Sequence, residues 1–177
     1  MSRIPAINRN EITGELASTF DAIKAKNGIV PNLFATFANS PSILDAYLGF
    51  SDALTKGHLT AFQRETLALA IGQANSCQYC VSAHTLIGKG AGLTPDDIRS
   101  AREGHASDSV NDAIAQLAVK IVNQRGVLSD KDLNDARNAG VSNAVIVEII
   151  AHVSLNTLTN YLNHIAATDI DFPVVSL

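Results

Sequence analysis

From Glu11 to Lys26 the apolar residues Ile12, Leu16, Phe20 and Ile23 recur at three- and four-residue steps, the spacing at which a helix shows one face to a core. Asn27-Gly28 follow, two residues that tolerate left-handed backbone and so close such a helix. The same grammar continues along the chain. Val30-Pro31 opens a short segment through Phe37, and Ser40-Pro41 offers a cap and a first-turn proline for a helix reaching about Thr55. Thr60 and Gln63 have capping-box spacing, which predicts a helix from about Ala61 to Asn75. Ser76 is placed to cap a helix from Cys77 to about Gly90, stopped by Gly90-Ala91-Gly92. Thr94-Pro95-Asp96-Asp97 begins a short helix to Glu103, ended at Gly104. Asp108 or Ser109 begins another, with Ile114, Leu117, Ala118 and Ile121 on one face and Gly126 beyond it. Ser129-Asp130 opens a short helix ended by Gly140, and Ser142 caps a long one from Asn143 to about Thr168, before Pro173. Only Val174-Val175 reads as strand-like.

The expected fold is therefore all-α, a single helical domain over residues 1–177, a length that buries its own core. Composition agrees: 46% of residues are hydrophobic but only 5% aromatic, which suits helix packing better than a sandwich of sheets. Leu93 to Gly104 and Leu128 to Gly140 share an outline of apolar residue, hydroxyl cap, acidic turn, arginine and glycine, as if one helix-turn unit were used twice. A net charge of −4 leaves no basic surface for nucleic acid. The mean hydropathy of +0.13 is high, so apolar surface shared between subunits of a homo-oligomer is expected. Met1 to Asn10 carries no apolar stretch of a signal peptide, and the longer apolar stretches are interrupted by Glu, Asn, His or Gln before the ~18 residues a membrane span requires. The expectation is a cytoplasmic protein without a membrane partner.

In a reducing compartment two cysteines separated by two residues point to catalysis or metal binding before a structural staple. In Cys77-Gln78-Tyr79-Cys80-Val81-Ser82-Ala83-His84 the reactive side chains fall at i, i+3 and i+7, and at ~100° per residue they gather within about 60° of one helix face. Thiols in a helix's first turn face free backbone N–H groups and the positive end of the dipole, both of which favour the thiolate. His84, one turn beyond Cys80, is placed to accept or relay a proton directly or through a water. Glu65 stands among Leu67, Leu69 and Ile71 on the preceding helix, as a second proton carrier or as the partner of an arginine.

Glu65, the twelve-residue step to Cys77, and Cys77-x-x-Cys80-x-x-x-His84 resemble the active-site signature of the alkylhydroperoxidase AhpD-like, carboxymuconolactone decarboxylase-like superfamily. Val30-Pro31-Asn32-Leu33, Asn160-Tyr161-Leu162-Asn163-His164 and Asp169-Ile170-Asp171-Phe172-Pro173 resemble its peroxidase-related branch. The resemblance implies an all-α fold, trimers or hexamers, a peroxide substrate, a dithiol or protein reductant, and no cofactor. It also implies roles: Cys80 attacks the peroxide, Cys77 resolves the sulfenate into a disulfide, and Glu65 and His84 move protons. The helix dipole alone would favour Cys77, nearer the helix start and expected to be the more exposed. Tyr79 stands where alkylhydroperoxidases have a histidine; as an auxiliary group it can donate a hydrogen bond but does not titrate near neutrality. The decarboxylases of the superfamily lack the cysteine pair.

Two other readings of the same residues are a redox sensor or disulfide-exchange adaptor, and a structural zinc site on Cys77, Cys80 and His84. The second lacks a further cysteine pair to complete four ligands. His152, Asn156, Asn160 and His164 form a four-residue polar stripe below Glu148, read as satisfied polar groups at helix junctions or as a border of the site. His58 and His105 occupy turn-like contexts and are expected to be solvated.

Overall fold

In the computed structural model, which describes residues 2–177, a short 3-10 turn (Arg9–Glu11) leads into nine helices and, among the described residues, no strand. They are α1 (Gly14–Asn27), α2 (Asn32–Phe37), α3 (Pro41–Leu54), α4 (Ala61–Ala74), α5 (Gln78–Gly90), α6 (Pro95–Arg102), α7 (Ser109–Asn123), α8 (Asp130–Asn138) and α9 (Asn143–Ala166). The all-α expectation holds.

Local chemistry sets most of the boundaries. Thr60, Thr94 and Ser129 accept from the amides three residues on, while Gln63, Asp97 and Asp132 bond back, so α4, α6 and α8 open with complete capping boxes. α6 and α8 also end alike, with Gly104 and Gly140 at positive φ and the next amide bonded back to Ser100 and Ala136. The two units thus share both caps, as their sequences suggested. Departures have local causes. α1 starts at Gly14 rather than Glu11 because Asn8 caps the 3-10 turn and leaves Ile12 and Thr13 extended. Ser40 makes no side-chain cap; Pro41 alone marks the start of α3. Val174-Val175 belongs to an irregular tail.

α4 lies at the centre because its stretch from Thr66 to Gly72 is buried on every side. Leu67 and Ile71 pack with Ile114, Leu117 and Ile121 of α7 and Ile149 and Val153 of α9, whereas Leu69 faces Ile98 and Ala101 of α6. Leu67, Leu69 and Ile71 are fully buried, and each such side chain contributes about 1.5–3 kcal/mol of burial free energy. A separate apolar cluster joins Phe20 and Ile23 of α1, Leu33 and Phe37 of α2 and Leu44 of α3 to Cys77, Tyr79 and Cys80. The cysteines are therefore roofed by the first three helices.

The tail closes the same region. Gln78 Nε2 donates to Val175 O, Val175 N to the Ser82 hydroxyl, and Arg102 to Ser176 O, so the last residues lie across the start of α5. α9 corrects one expectation: an 18-residue window within it has mean hydropathy 1.2, so by length and composition it is apolar enough to cross a membrane. Its Asn and His residues are too widely spaced to lower the average. Much of that apolar surface lies in the core, through Ile146, Ile149, Val153 and Leu155.

Glu148, above the polar stripe, is used structurally. Its carboxylate accepts from the His58 and Leu59 amides at 2.8–3.1 Å and meets the His58 ring at 2.6 Å, tying the α3–α4 loop to α9. Burial raises its pKa, but these bonds outweigh that and hold the carboxyl below its ordinary range. A Cβ on Gly57 would come within 2.6–2.8 Å of that carboxylate, whereas one on Gly49, inside α3, would meet nothing within 4 Å. Gly57→Ala should therefore cost about 1–2 kcal/mol through displaced hydrogen bonds. Gly49→Ala should stabilise by about 0.5–1 kcal/mol through helix propensity. Denaturant titration of the two variants should give opposite signs; a shift in the same direction for both would refute the Glu148 anchor.

Candidate active site

The site is built at the junction of α4 and α5. Ser76 adopts left-handed backbone (φ 56°), and the Cys77 amide bonds back to Gly72 O at 2.8 Å, which ends α4 and turns the chain at once into α5. Ser76 is therefore not the cap expected from sequence. Cys77 takes that position, outside the helix, and its Sγ accepts from the Cys80 amide at 3.3 Å. The two cysteines are joined as a disulfide with Cα atoms 5.3 Å apart.

Both sulfur-bearing residues are buried, Cys77 at 0% and Cys80 at 3% exposure. The expectation that Cys77 is the more exposed is thus corrected. Standing before the helix, Cys77 enters the apolar cluster beneath α1 and α2 instead of pointing to solvent.

α9 grips this junction from the other side. His164 Nε2 donates to Ser76 O at 3.2 Å, Asn75 Nδ2 donates to Asn160 Oδ1 at 2.8 Å, and Asn163 Nδ2 donates to Cys80 Sγ at 3.3 Å. The predicted stripe divides accordingly. Asn160 and His164 hold the active-site turn, Asn156 bonds its own helix at His152 O, and His152 Nε2 is buried without a partner. Asn163 escaped the sequence reading as a site residue. Its signal was available: Asn156, Asn160 and Asn163 follow the i, i+4, i+7 spacing of a buried helix face.

Glu65 and His84 meet as expected of a relay, with Oε2 and Nδ1 2.7 Å apart and both side chains largely covered. Arg64 turns away to Leu59 O, so Glu65 is the partner of the imidazole and not of an arginine. His84 is hydrogen-bonded to Glu65, not to Cys80. The other histidines read as solvated, His58 and His105, are exposed yet paired with Glu148 and Asp112. Among the described residues no three His, Cys, Asp or Glu side chains are grouped to hold a metal ion.

Tyr79 is buried and pinned. Its hydroxyl donates to Asp171 at 2.8 Å and accepts from the Leu33 amide at 3.1 Å, and its ring meets Phe172 edge-on. Burial above all pushes this hydroxyl far up, which suits a fixed hydrogen-bonded strut between α2, α5 and the tail. Beside it opens a cleft of about 430 Å³, lined by Leu33, Phe34, Tyr47, Ala83, His84 and Phe172 among others. Burial first, and the charge of Glu65 second, push Tyr47 up to about 12, so the cleft presents a neutral phenol and the His84 imidazole, with Asn27, Tyr79 and Asp171 the other polar groups on mainly apolar walls.

Comparison with known proteins places this arrangement. Residues 41–124, the stretch that carries Glu65, Cys77, Cys80 and His84, match the carboxymuconolactone decarboxylase family. Over that segment, just under half of the chain, the sequence is similar to that family. Its fold is similar to an uncharacterized peroxidase-related protein from Ralstonia eutropha JMP134, described as an alkylhydroperoxidase AhpD core. That pair has a TM-score of 0.86 at 24% identity, covering 96% of this chain and 92% of the other. It is also similar to a peroxidase-related protein from Silicibacter sp. TM1040, with a TM-score of 0.83 at 19% identity over 94% and 92% of the two chains. A third similar structure is the debrominase Bmp8 in complex with 2,3,4-tribromopyrrole, with a TM-score of 0.81 at 18% identity over 97% and 92%. No curated protein matches the chain.

His152 gives the site region a pH signature. Burial, then the nearby Arg64, lowers its pKa from 6.5 to about 4, with Glu148 and Glu65 opposing. A histidine depressed on folding binds fewer protons folded than unfolded, so its contribution is complete above about 6.5 and is lost as pH falls towards about 4. Thermal melts of the parent should show a decline across that window that His152→Gln flattens. An unchanged slope in the variant would show that His152 does not carry it.

Proposed function

We propose that the chain is a thiol-dependent peroxidase of the alkylhydroperoxidase type, working in the cytoplasm and cycling Cys77 and Cys80 between dithiol and disulfide. The observation that carries this reading is the buried Cys77–Cys80 disulfide at the start of α5, beside the Glu65–His84 pair.

In the cycle, the Cys80 thiolate attacks the outer oxygen of a hydroperoxide; the O–O bond breaks and the alcohol leaves with a proton relayed through His84 and Glu65. The Cys80 sulfenic acid is then attacked by the Cys77 thiolate, which forms the disulfide and releases water. An external dithiol supplies two electrons and two protons to restore both thiols. Cys80 as the attacking thiol is supported by its place in the first turn of α5, at the positive end of the helix dipole, with the Asn163 side-chain N–H on its sulfur, while Cys77 lies before the helix.

The aromatic and aliphatic walls of the cleft beside His84 favour a hydroperoxide with an apolar body. The burial of both cysteines favours a small dithiol over a protein reductant, and weighs against a disulfide-exchange adaptor. The rings of Phe34, Tyr47, Tyr79 and Phe172 also favour a second reading, removal of halogen from a planar ring by the same dithiol. Val147, Ile150, Leu158, Tyr161 and Ile165 form an exposed apolar stripe along α9, which supports a homo-oligomer built on that helix. A monomer mass by light scattering at micromolar concentration would overturn that assembly.

Peroxide consumption with several dithiol donors tests the activity. Cys80→Ser should abolish turnover, and Cys77→Ser should stop at a Cys80 sulfenate that a dimedone-type reagent traps. Glu65→Gln and His84→Asn should slow attack by about 10²-fold without loss of fold. Dimedone label on Cys77 in the Cys80→Ser protein, with none on Cys80 in the reverse variant, would exchange the two roles. Bromide release from a bromopyrrole, with no peroxide consumed, would replace the peroxidase reading by the second.

A further inference from the structure

Among the described residues, Asn163 is the one side chain outside the cysteine pair that hydrogen-bonds a site sulfur, and it does so from the buried face of α9. Its Nδ2 lies 3.3 Å from Cys80 Sγ. The orientation is chemically fixed: a disulfide sulfur can only accept, so turning the amide over would set Oδ1 and sulfur lone pairs against each other. The consequence is a buried Oδ1 with no partner. A buried amide with one end on a sulfur and the other unsatisfied is a costly arrangement in a core, and such exceptions call for a functional account.

We infer that Asn163 is a catalytic residue that stabilises the Cys80 thiolate through its side-chain N–H. The inference rests on the reading of Cys80 as the attacking thiol. In the reduced protein the Cys80 sulfur carries the charge, and the bond from Nδ2 becomes charge-assisted, stronger than it is to the disulfide. The Cys80 amide at the start of α5 is spent on Cys77 Sγ, so at Cys80 the Asn163 N–H adds to the helix dipole, and the anion is held without a counter-cation.

The surrounding charges leave that task to neutral donors. The titratable groups that line the cysteine cluster and its cleft, or bond directly to the residues that do, are Tyr47 of α3, Glu65 of α4, Tyr79 and His84 of α5, His164 of α9 and Asp171 of the tail. His84 is committed to Glu65, His164 to Ser76 O, and Tyr79 to Asp171. Of the cations on these helices, Arg64 bonds Leu59 O, Lys89 stands at the far end of α5, and Lys24 and Lys26 are exposed at the end of α1. Glu65 and Asp171 would oppose a second negative charge, which makes a fixed donor at the sulfur matter more.

The test uses the full chain in a Cys77→Ser background, where serine keeps a side-chain acceptor at the cap and Cys80 is the only thiol. Thiolate absorbance near 240 nm against pH, and the alkylation rate of Cys80 by iodoacetamide, are read for Asn163 and for Asn163→Leu and Asn163→Asp. Asn163→Leu should move thiolate formation to higher pH and lower the alkylation rate at neutral pH by about tenfold. Asn163→Asp, of nearly the same shape but with a carboxylate facing the sulfur, should lower it further. Circular dichroism confirms the fold of each, and should one variant fail to fold, the other carries the comparison. Alkylation rates within twofold of the parent in a folded variant would overturn the inference. Because these readouts use no peroxide, that result leaves the peroxidase reading standing. Failure of the parent to consume any peroxide would sink that reading while leaving the thiolate measurement valid.

Discussion

Everything at the site depends on how sharply α4 is ended and α5 begun. One residue of left-handed backbone, Ser76, reverses the chain, and the amide of Cys77 closes α4 against Gly72 O. A non-glycine residue in that conformation is held there only when its surroundings demand it. The surroundings here are specific: α9 bonds the residue before the turn through Asn160, the turn itself through His164, and Cys80 of α5 through Asn163. The turn puts one cysteine before the helix and the other within it, which separates two otherwise identical side chains chemically.

Burial and reactivity pull against each other at this point. Removing a thiol from water disfavours its anion, and the roof of α1, α2 and α3 removes both cysteines almost completely. Against this the fold sets oriented donors: the Cys80 amide on Cys77 Sγ and the Asn163 side chain on Cys80 Sγ. The Glu65–His84 pair joins α4 to α5 at the edge of the cleft and is hydrogen-bonded within itself, not to either sulfur.

Much of this was legible in the chain. The capping boxes at Thr60, Thr94 and Ser129 and the glycine stops at 104 and 140 are local devices, and local spacing reveals them. The meeting of Glu65 with His84 could be anticipated because both lie on consecutive helices joined by a short turn. What escaped was non-local or depended on a single dihedral. Ser76 reads as a cap in every respect but its φ, and that is dictated by packing against α9, not by its neighbours in sequence. The exposure of Cys77 was misjudged because the roof that covers it comes from residues more than thirty positions away. Asn163 was overlooked because a buried amide in line with Asn156 and Asn160 reads as one more satisfied core residue until its partner is seen to be sulfur.

The position of Tyr79 carries an optical consequence. The chain has three tyrosines and no tryptophan, so its ultraviolet emission comes from tyrosine alone. One of those three rings, that of Tyr79, belongs to the residue immediately before Cys80, buried, with its hydroxyl locked to a carboxylate. Disulfides and carboxylates both quench a neighbouring phenol, and only the first of these changes when the pair is reduced. The protein therefore holds a native fluorescent gauge of its own redox state, one that works on the unlabelled chain in real time.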